Sequence, residues 1–241
     1  MVNIFNFSGG KTSAYMTIKY YKSGDHVIFC DTGREHPATY KFIDDFEKYE
    51  GIKVTRIKYY NEANPFPSLL KRKNYKTLPN MMKRFCTVEL KIKTCKRYLK
   101  SIGIQEFNNF IGFRYDEGKR VSGGMSYYKK VHNIFPLFND KITNAEIISF
   151  WQKQRYSLEI PHILGNCTLC FMKGKNAIIN ILSMYPELAK PWIEDENSCK
   201  PYTYINGFSI ERLLNLSKMN LFSEVDLNKV NPAFSCSCST T

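Results

Sequence analysis

The stretch Asn6–Met16, NFSGGKTSAYM, limits what this chain can become more than any other. Val2–Phe5 runs up to it as a short strand. Ser8, Gly9, Gly10, Lys11, Thr12 and Ser13 then form a turn, and Ala14–Tyr21 continues with helical character. A strand that ends in a Gly-rich turn and opens a helix aims backbone N–H groups and the positive end of the helix dipole at one spot. Adjacent glycines let the main chain approach an anion closely, and nearby hydroxyls and an ammonium add donors. The turn is built for phosphate. It is not a Walker loop, which needs four residues between its first Gly and the Gly-Lys pair.

Further strands extend this start into a sheet. Val27–Cys30 is expected to be the second, with Cys30 a buried strand residue, and it ends in Asp31, Thr32 and Gly33 on the ligand side. Asp31 there suits a ribose hydroxyl or a metal, or the tripeptide is turn chemistry alone. Pro37 fits the first turn of a helix, with His36 a solvated residue at its start. Tyr40, Ile43, Phe46 and Tyr49 recur at near-helical spacing over Ala38–Tyr49, Gly51 stops that helix, and Ile52–Tyr59 alternates as a third strand. The order predicts an α/β fold with a doubly wound, mostly parallel sheet. A short helix is expected near Ser68–Lys73.

The run Lys83–Tyr98, KRFCTVELKIKTCKRY, predicts a helix with a cationic face. Asn109–Phe113 is expected to be the fourth strand, which would bring Arg114 within ligand reach. Val121–Lys130 reads as a flap over the site, with Tyr127 and Tyr128 beside Lys129 and Lys130 suited to base stacking and phosphate contact. His132–Leu137 reads as an extended piece, and Thr143 with Glu146 as a capping box for a helix to Gln154. The nucleotide-binding domain is expected over 1–155, with a smaller helical, cysteine-bearing region over 156–241. Helices are expected there over Lys175–Met184, Pro186–Glu196 and Phe208–Leu216. Trp192 is expected to be packed, and Glu194, Asp195 and Glu196 to form an acidic surface cluster.

Composition narrows the class. With 43% hydrophobic residues and no run of about 18 apolar ones, the chain is expected to be folded, cytoplasmic and without a membrane partner. The net charge of +13 suits a polyanionic partner such as DNA or RNA. An AT-rich genome would also yield this lysine-rich composition, so charge alone leaves both explanations standing. Eight cysteines in a chain without an export signal favour metal or thiol chemistry over disulfides. Cys167 and Cys170, in NCTLCF, have the spacing used by zinc, iron–sulfur and dithiol sites. A zinc site from Cys167, Cys170, Cys236 and Cys238 is one structural reading.

Four motifs together resemble one family. SGGKTS, DTGREHPAT, R-F-C-T-x-x-L-K from Arg84 to Lys91, and G-F-R-Y-D-E-G-K-R from Gly112 to Arg120 occur in the order seen in the PAPS-reductase-like branch of the adenine nucleotide alpha-hydrolase (PP-loop) superfamily. The likeness runs from about residue 2 to Glu196 and is nearest to the phage-type members. Many members carry Asp where this chain has Thr12. The resemblance implies a HUP-like fold that binds ATP, or PAPS/APS, with Mg2+. It implies phosphate or sulfate contacts from Arg84, Lys91 and Arg114, and Glu117 and Arg120 on a covering loop. Cys86 would join Cys167 and Cys170 around a [4Fe–4S] cluster, with Cys95, Cys199, Cys236 or Cys238 as fourth ligand, or one iron left open.

The activity expected from the resemblance is cleavage of ATP between its α and β phosphates to adenylate an acceptor for sulfur transfer. Lys11, Arg84, Lys91 and Arg114 would stabilise the charge that develops. Nucleic acid (DNA or tRNA) is the expected acceptor, with a sulfur-donor protein as a possible partner; oligomeric state is left open. The alternatives are reduction of PAPS or APS to sulfite and a non-catalytic nucleotide-sensing or DNA-binding module.

Overall fold

The computed structural model describes residues 1–123 and 130–219, and its centre is one parallel sheet. The strands are β1 (Val2–Asn6), β2 (His26–Asp31), β3 (Val54–Lys58), β4 (Phe107–Phe110) and β5 (Val131–Ile134), in the order β3-β2-β1-β4-β5. Ile4-Phe5 in β1 and Val27–Cys30 in β2 are consecutive apolar residues because helices cover both faces of the sheet. Phe5 and Phe29 pack on one face with α1 (Lys11–Tyr20) and α2 (Pro37–Glu50). Ile4 and Ile28 pack on the other, against Leu99. Strand order reverses between β1 and β4, which is where a doubly wound sheet opens a crevice at its C-terminal edge. An asparagine ladder spans that point: Asn6 Nδ2 donates to Asn109 Oδ1 at 2.5 Å, and Asn109 Nδ2 to Asn133 Oδ1 at 2.8 Å.

Local chemistry sets the helix ends. α2 begins with Pro37 after His36, whose Nδ1 accepts from Ala38 N at 3.1 Å, and it ends at Gly51 with φ 65°. α3 (Pro65–Arg72) follows β3. The basic run is a π-helical segment, Thr87–Lys93, that passes into α4 (Thr94–Ser101). Short helices α5 (Gly118–Gly123) and α6 (Pro136–Asn139) flank β5. α7 (Asn144–Gln152) starts with the expected Thr143–Glu146 capping box. α8 (Lys175–Met184), α9 (Lys190–Ser198) and α10 (Ile210–Lys218) complete the described chain. Their core, with Ile178, Leu182, Trp192 and Leu213, also takes in Phe66, Leu69 and Leu70 of α3. No helix among the described residues is long and apolar enough to cross a membrane.

Several local expectations need correction. α1 starts at Lys11, three residues early, since Gly10 already supplies the extended N-cap. β4 ends at Phe110, so Gly112 to Arg114 form the loop beyond it. Pro136 opens α6 instead of closing a strand, as its fixed φ favours. Cys30 is only half-buried; its thiol donates to Lys91 O at 3.6 Å. Asp195 and Glu196 are not surface residues: both are buried, 4% and 5% exposed. Glu196 accepts from Tyr204 N at 3.0 Å and Ile210 N at 2.7 Å, fixing the start of α10. Residues 124–129 of the expected flap, with Tyr127, Tyr128 and Lys129, lie outside the described residues, as do Cys236 and Cys238.

Candidate functional site

The first turn after β1 forms a backbone cradle whose chemistry suits an anion. Gly9 has φ 74°, and a Cβ there would stand 2.5 Å from Thr39 Cγ2, so both conformation and space demand glycine. Gly10 caps α1 through its backbone alone. No side chain caps this helix end and no acid stands in its first turn, which keeps its N–H groups available. Ser13 is buried and braces the loop: Ser8 N donates to its Oγ at 3.1 Å, and that hydroxyl donates to Gly10 O at 2.9 Å. Trp151 Nε1 donates to Lys11 O at 2.9 Å and pins the helix start. Burial pulls the Lys11 ammonium below its ordinary pKa, and the Glu159 charge partly restores it.

β4 brings the facing wall. A Cβ on Gly112 would meet Ser13 Cα at 3.6 Å, so the two loops run side by side across the switch point. Arg114 is buried and its Nη1 donates to Thr12 Oγ1 at 3.4 Å. The same guanidinium meets Asp116, with Nε to Oδ1 at 3.1 Å, and Glu117, with Nη1 to Oε2 at 3.4 Å. Asp116 is 44% exposed and holds the guanidinium by two bonds, Nε to Oδ1 at 3.1 Å and Nη2 to Oδ2 at 3.2 Å. Arg120 pairs with Glu117 and stacks on Phe113 at 4.5 Å. Thr12 thus serves as the contact between cradle and arginine.

A second group forms at the end of β2. Asp31 Oδ1 accepts from Gly33 N at 2.8 Å and from Tyr40 OH at 2.8 Å, and Lys58 Nζ lies 3.5 Å from Oδ2. The D-T-G tripeptide is therefore turn chemistry and ion pairing at once. Thr32 donates to Glu35 through N at 3.1 Å and Oγ1 at 2.7 Å. Glu35 is buried; desolvation raises its pKa, and the nearby Lys91 ammonium opposes that rise. Burial, then the Glu35 and Asp31 charges, push the Tyr40 hydroxyl up, so it remains a donor.

The cysteine segment closes on this group. Cys167 forms an antiparallel bridge with Glu35, its Sγ lies 3.5 Å from Thr32 Oγ1, and Thr168 N donates to Arg34 O at 2.9 Å. Arg34 Nη2 reaches Asp195 Oδ2 at 2.5 Å, with its guanidinium 5.3 Å from the Phe66 ring and 5.8 Å from Trp192. Lys173 Nζ binds the carbonyls of Cys167 at 2.8 Å and Thr168 at 2.9 Å. Among the described residues, no three or more His, Cys, Asp and Glu side chains are grouped to hold a metal ion. Cys95 faces Cys30, whose hydrogen bond holds the Cys95 thiol below its usual range. Burial pushes Cys199 up to about 11.

The structure thus joins Ser8–Ser13 with Arg114 in one place, and Asp31–Gly33, Lys91 and Cys167 in another. Arg84 and Cys86 lie just before and at the start of the π-helical segment. Glu35, Tyr40, Arg34 and Asp195 escaped the sequence reading. For Glu35 a signal existed: Thr32-Gly-Arg-Glu35 has the spacing of a capping box.

A family model for the phosphoadenosine phosphosulfate reductase domain matches residues 3–158, and so covers both groups except Cys167 and its neighbours. An uncharacterized nin region protein of Escherichia phage lambda is 30% identical over 206 residues, 74% of this chain and 68% of that protein. An uncharacterized protein of Methanocaldococcus jannaschii is 27% identical over 81% of this chain, and the match spans only 41% of its length. A crystal structure of phosphoadenylyl-sulfate reductase from Candida auris, a phosphate complex, aligns with a TM-score of 0.46 at 16% identity, covering 64% of this chain and 73% of that one.

Proposed function

The chain belongs to the phosphoadenosine phosphosulfate reductase domain family, and on that premise we propose that it cleaves ATP between the α and β phosphates to adenylate an acceptor, ahead of sulfur transfer to nucleic acid. The observation that carries this reading is the pairing of an uncapped helix N-terminus with Arg114 across the β1/β4 switch point. Backbone N–H groups at Gly9 to Lys11 suit pyrophosphate, and Lys11 adds a movable charge. An acceptor oxygen attacks the α-phosphorus, the bond to the α–β bridging oxygen breaks, and pyrophosphate leaves with the electron pair. Arg114 then gives up Asp116 to stabilise the charge that builds on the transferred group. A sulfur nucleophile later displaces AMP from the acceptor.

Lys91 serves this scheme indirectly. Its charge lies close to buried Glu35, so it steadies the D-T-G turn that would receive the ribose. Arg84 is proposed as a phosphate contact from the basic motif. Incubation of the chain with ATP, magnesium and single-stranded DNA or tRNA is expected to release pyrophosphate, with at least about a tenfold loss in Lys11→Ala. Sulfite formed from PAPS, with no pyrophosphate from ATP, would replace this reading by sulfonucleotide reduction.

A further inference from the structure

The positive charge of this chain is concentrated. Residues 71–100 contain eleven Lys and Arg and a single acid, Glu89, so this stretch holds +10 of the net +13. A lysine excess arising from genome composition would spread along the chain and would not clear one stretch of acids. The remaining residues, with 24 basic and 21 acidic side chains, are close to balanced.

Two of these cations, Arg72 and Arg97, meet at one exposed aromatic. Past β3, Tyr60 and Asn61 take left-handed φ values of 48° and 57°. An aromatic residue rarely adopts this conformation, so the surroundings impose the geometry. Tyr60 is 51% exposed, with the Arg97 guanidinium 3.9 Å and the Arg72 guanidinium 4.2 Å from its ring centroid. Two guanidiniums on one ring repel each other. Glu62, 3.7 Å from Arg72 and partly exposed, offsets little of that. Arg97 donates to Thr94 Oγ1 at 2.9 Å and has no carboxylate within ion-pair distance among the described residues. Such a stack fixes planar donors without neutralising them, which suits phosphates. Tyr75, 41% exposed with φ 55°, adds a second open aromatic beside the α3 cations.

We propose that this face binds single-stranded nucleic acid, with backbone phosphates on Arg72 and Arg97, which the Tyr60 ring holds in place, and bases against Tyr75. Cations interleaved with exposed rings match a strand whose bases are unstacked; a duplex offers only the phosphates. The face opens from the C-terminal edge of β3, two strands from β1 and so roughly 10 Å from it by strand spacing. A bound strand would lie within reach of the crevice; this last point rests on the proposed adenylation, whereas the binding itself does not.

The test is fluorescence anisotropy of labelled 20-nucleotide single-stranded DNA and RNA with the full chain and no ATP, beside the duplex, and sedimentation with phosphatidylglycerol vesicles. The expected result is single-strand binding that weakens with salt, falls at least about tenfold in Arg72→Glu/Arg97→Glu, and falls about fivefold or more in Tyr60→Leu. Lys71→Glu/Lys73→Glu, on exposed positions, repeats the charge test should the first variant fail to fold. Lys153→Glu/Lys190→Glu, exposed elsewhere, changes net charge equally and is expected to stay within about twofold. Equal losses in the control, tighter binding to duplex or vesicles, or no single-strand binding would each overturn the proposal. Intact oligonucleotide binding without pyrophosphate release would strike the proposed adenylation alone.

Discussion

The β1/β4 crevice and the junction at the end of β2 share one edge of the sheet but use their polar groups in opposite ways. In the crevice the N-terminus of α1 has no side-chain cap, Lys11 is partly buried, and Arg114 is held by half-exposed Asp116. At the junction Asp31, Thr32, Glu35 and Asp195 are buried and bonded within the chain. The crevice keeps its donors available for a ligand. The junction commits them to holding Arg34 and Asp195, or Thr32 and Cys167, together across the sequence. Phosphate binding should therefore respond to changes in the first, and stability to changes in the second.

The largest effect is expected at the junction. Asp195→Ala leaves the Arg34 guanidinium buried without its carboxylate and should lower unfolding free energy by about 3–5 kcal/mol, read by urea denaturation. Adding Arg34→Met should recover part of that loss. In the crevice, Lys11→Ala should weaken ATP binding by roughly 1.5–3 kcal/mol, at least about tenfold by calorimetry. Its stability should stay within about 0.5 kcal/mol of the parent, since the residue is not fully buried. A stability loss as large as that of Asp195→Ala would break the distinction.

Gly9→Ala sharpens it, because the cradle backs onto α2. The strained φ and the clash with Thr39 should cost about 1–3 kcal/mol, and Thr39→Ser should return the steric share alone. The smallest effect is on pH. Lys11 has a lowered pKa, so it loses its charge at a lower pH than an ordinary lysine. ATP affinity should fall as pH rises through that lowered value, and Lys11→Arg should remove the alkaline fall, both followed by calorimetry.

The crevice was legible because its parts are local. Gly-Gly-Lys directly after an apolar strand carries its own geometry, and the alternation of strands and helices places it on the sheet edge. The junction was legible only in pieces, D-T-G and C-x-x-C, because the residues that join them lie far apart in the chain. Glu194, Asp195 and Glu196 read as a solvated acidic run. Only the packing of α9 against Arg34 and Tyr204 turns two of them inward. The basic run was visible as charge, yet its π-helical form, and the Arg72–Tyr60–Arg97 stack that brings α3 and α4 together, needed the fold.

The most direct test of the central claim is a crystal structure with α,β-methylene-ATP, whose α–β bond resists cleavage. The account predicts β and γ phosphates on the backbone N–H groups of Gly9 to Lys11, with Arg114 turned from Asp116 to the α-phosphate. Phosphates bound elsewhere, with the Arg114–Asp116 pair unchanged, would contradict it.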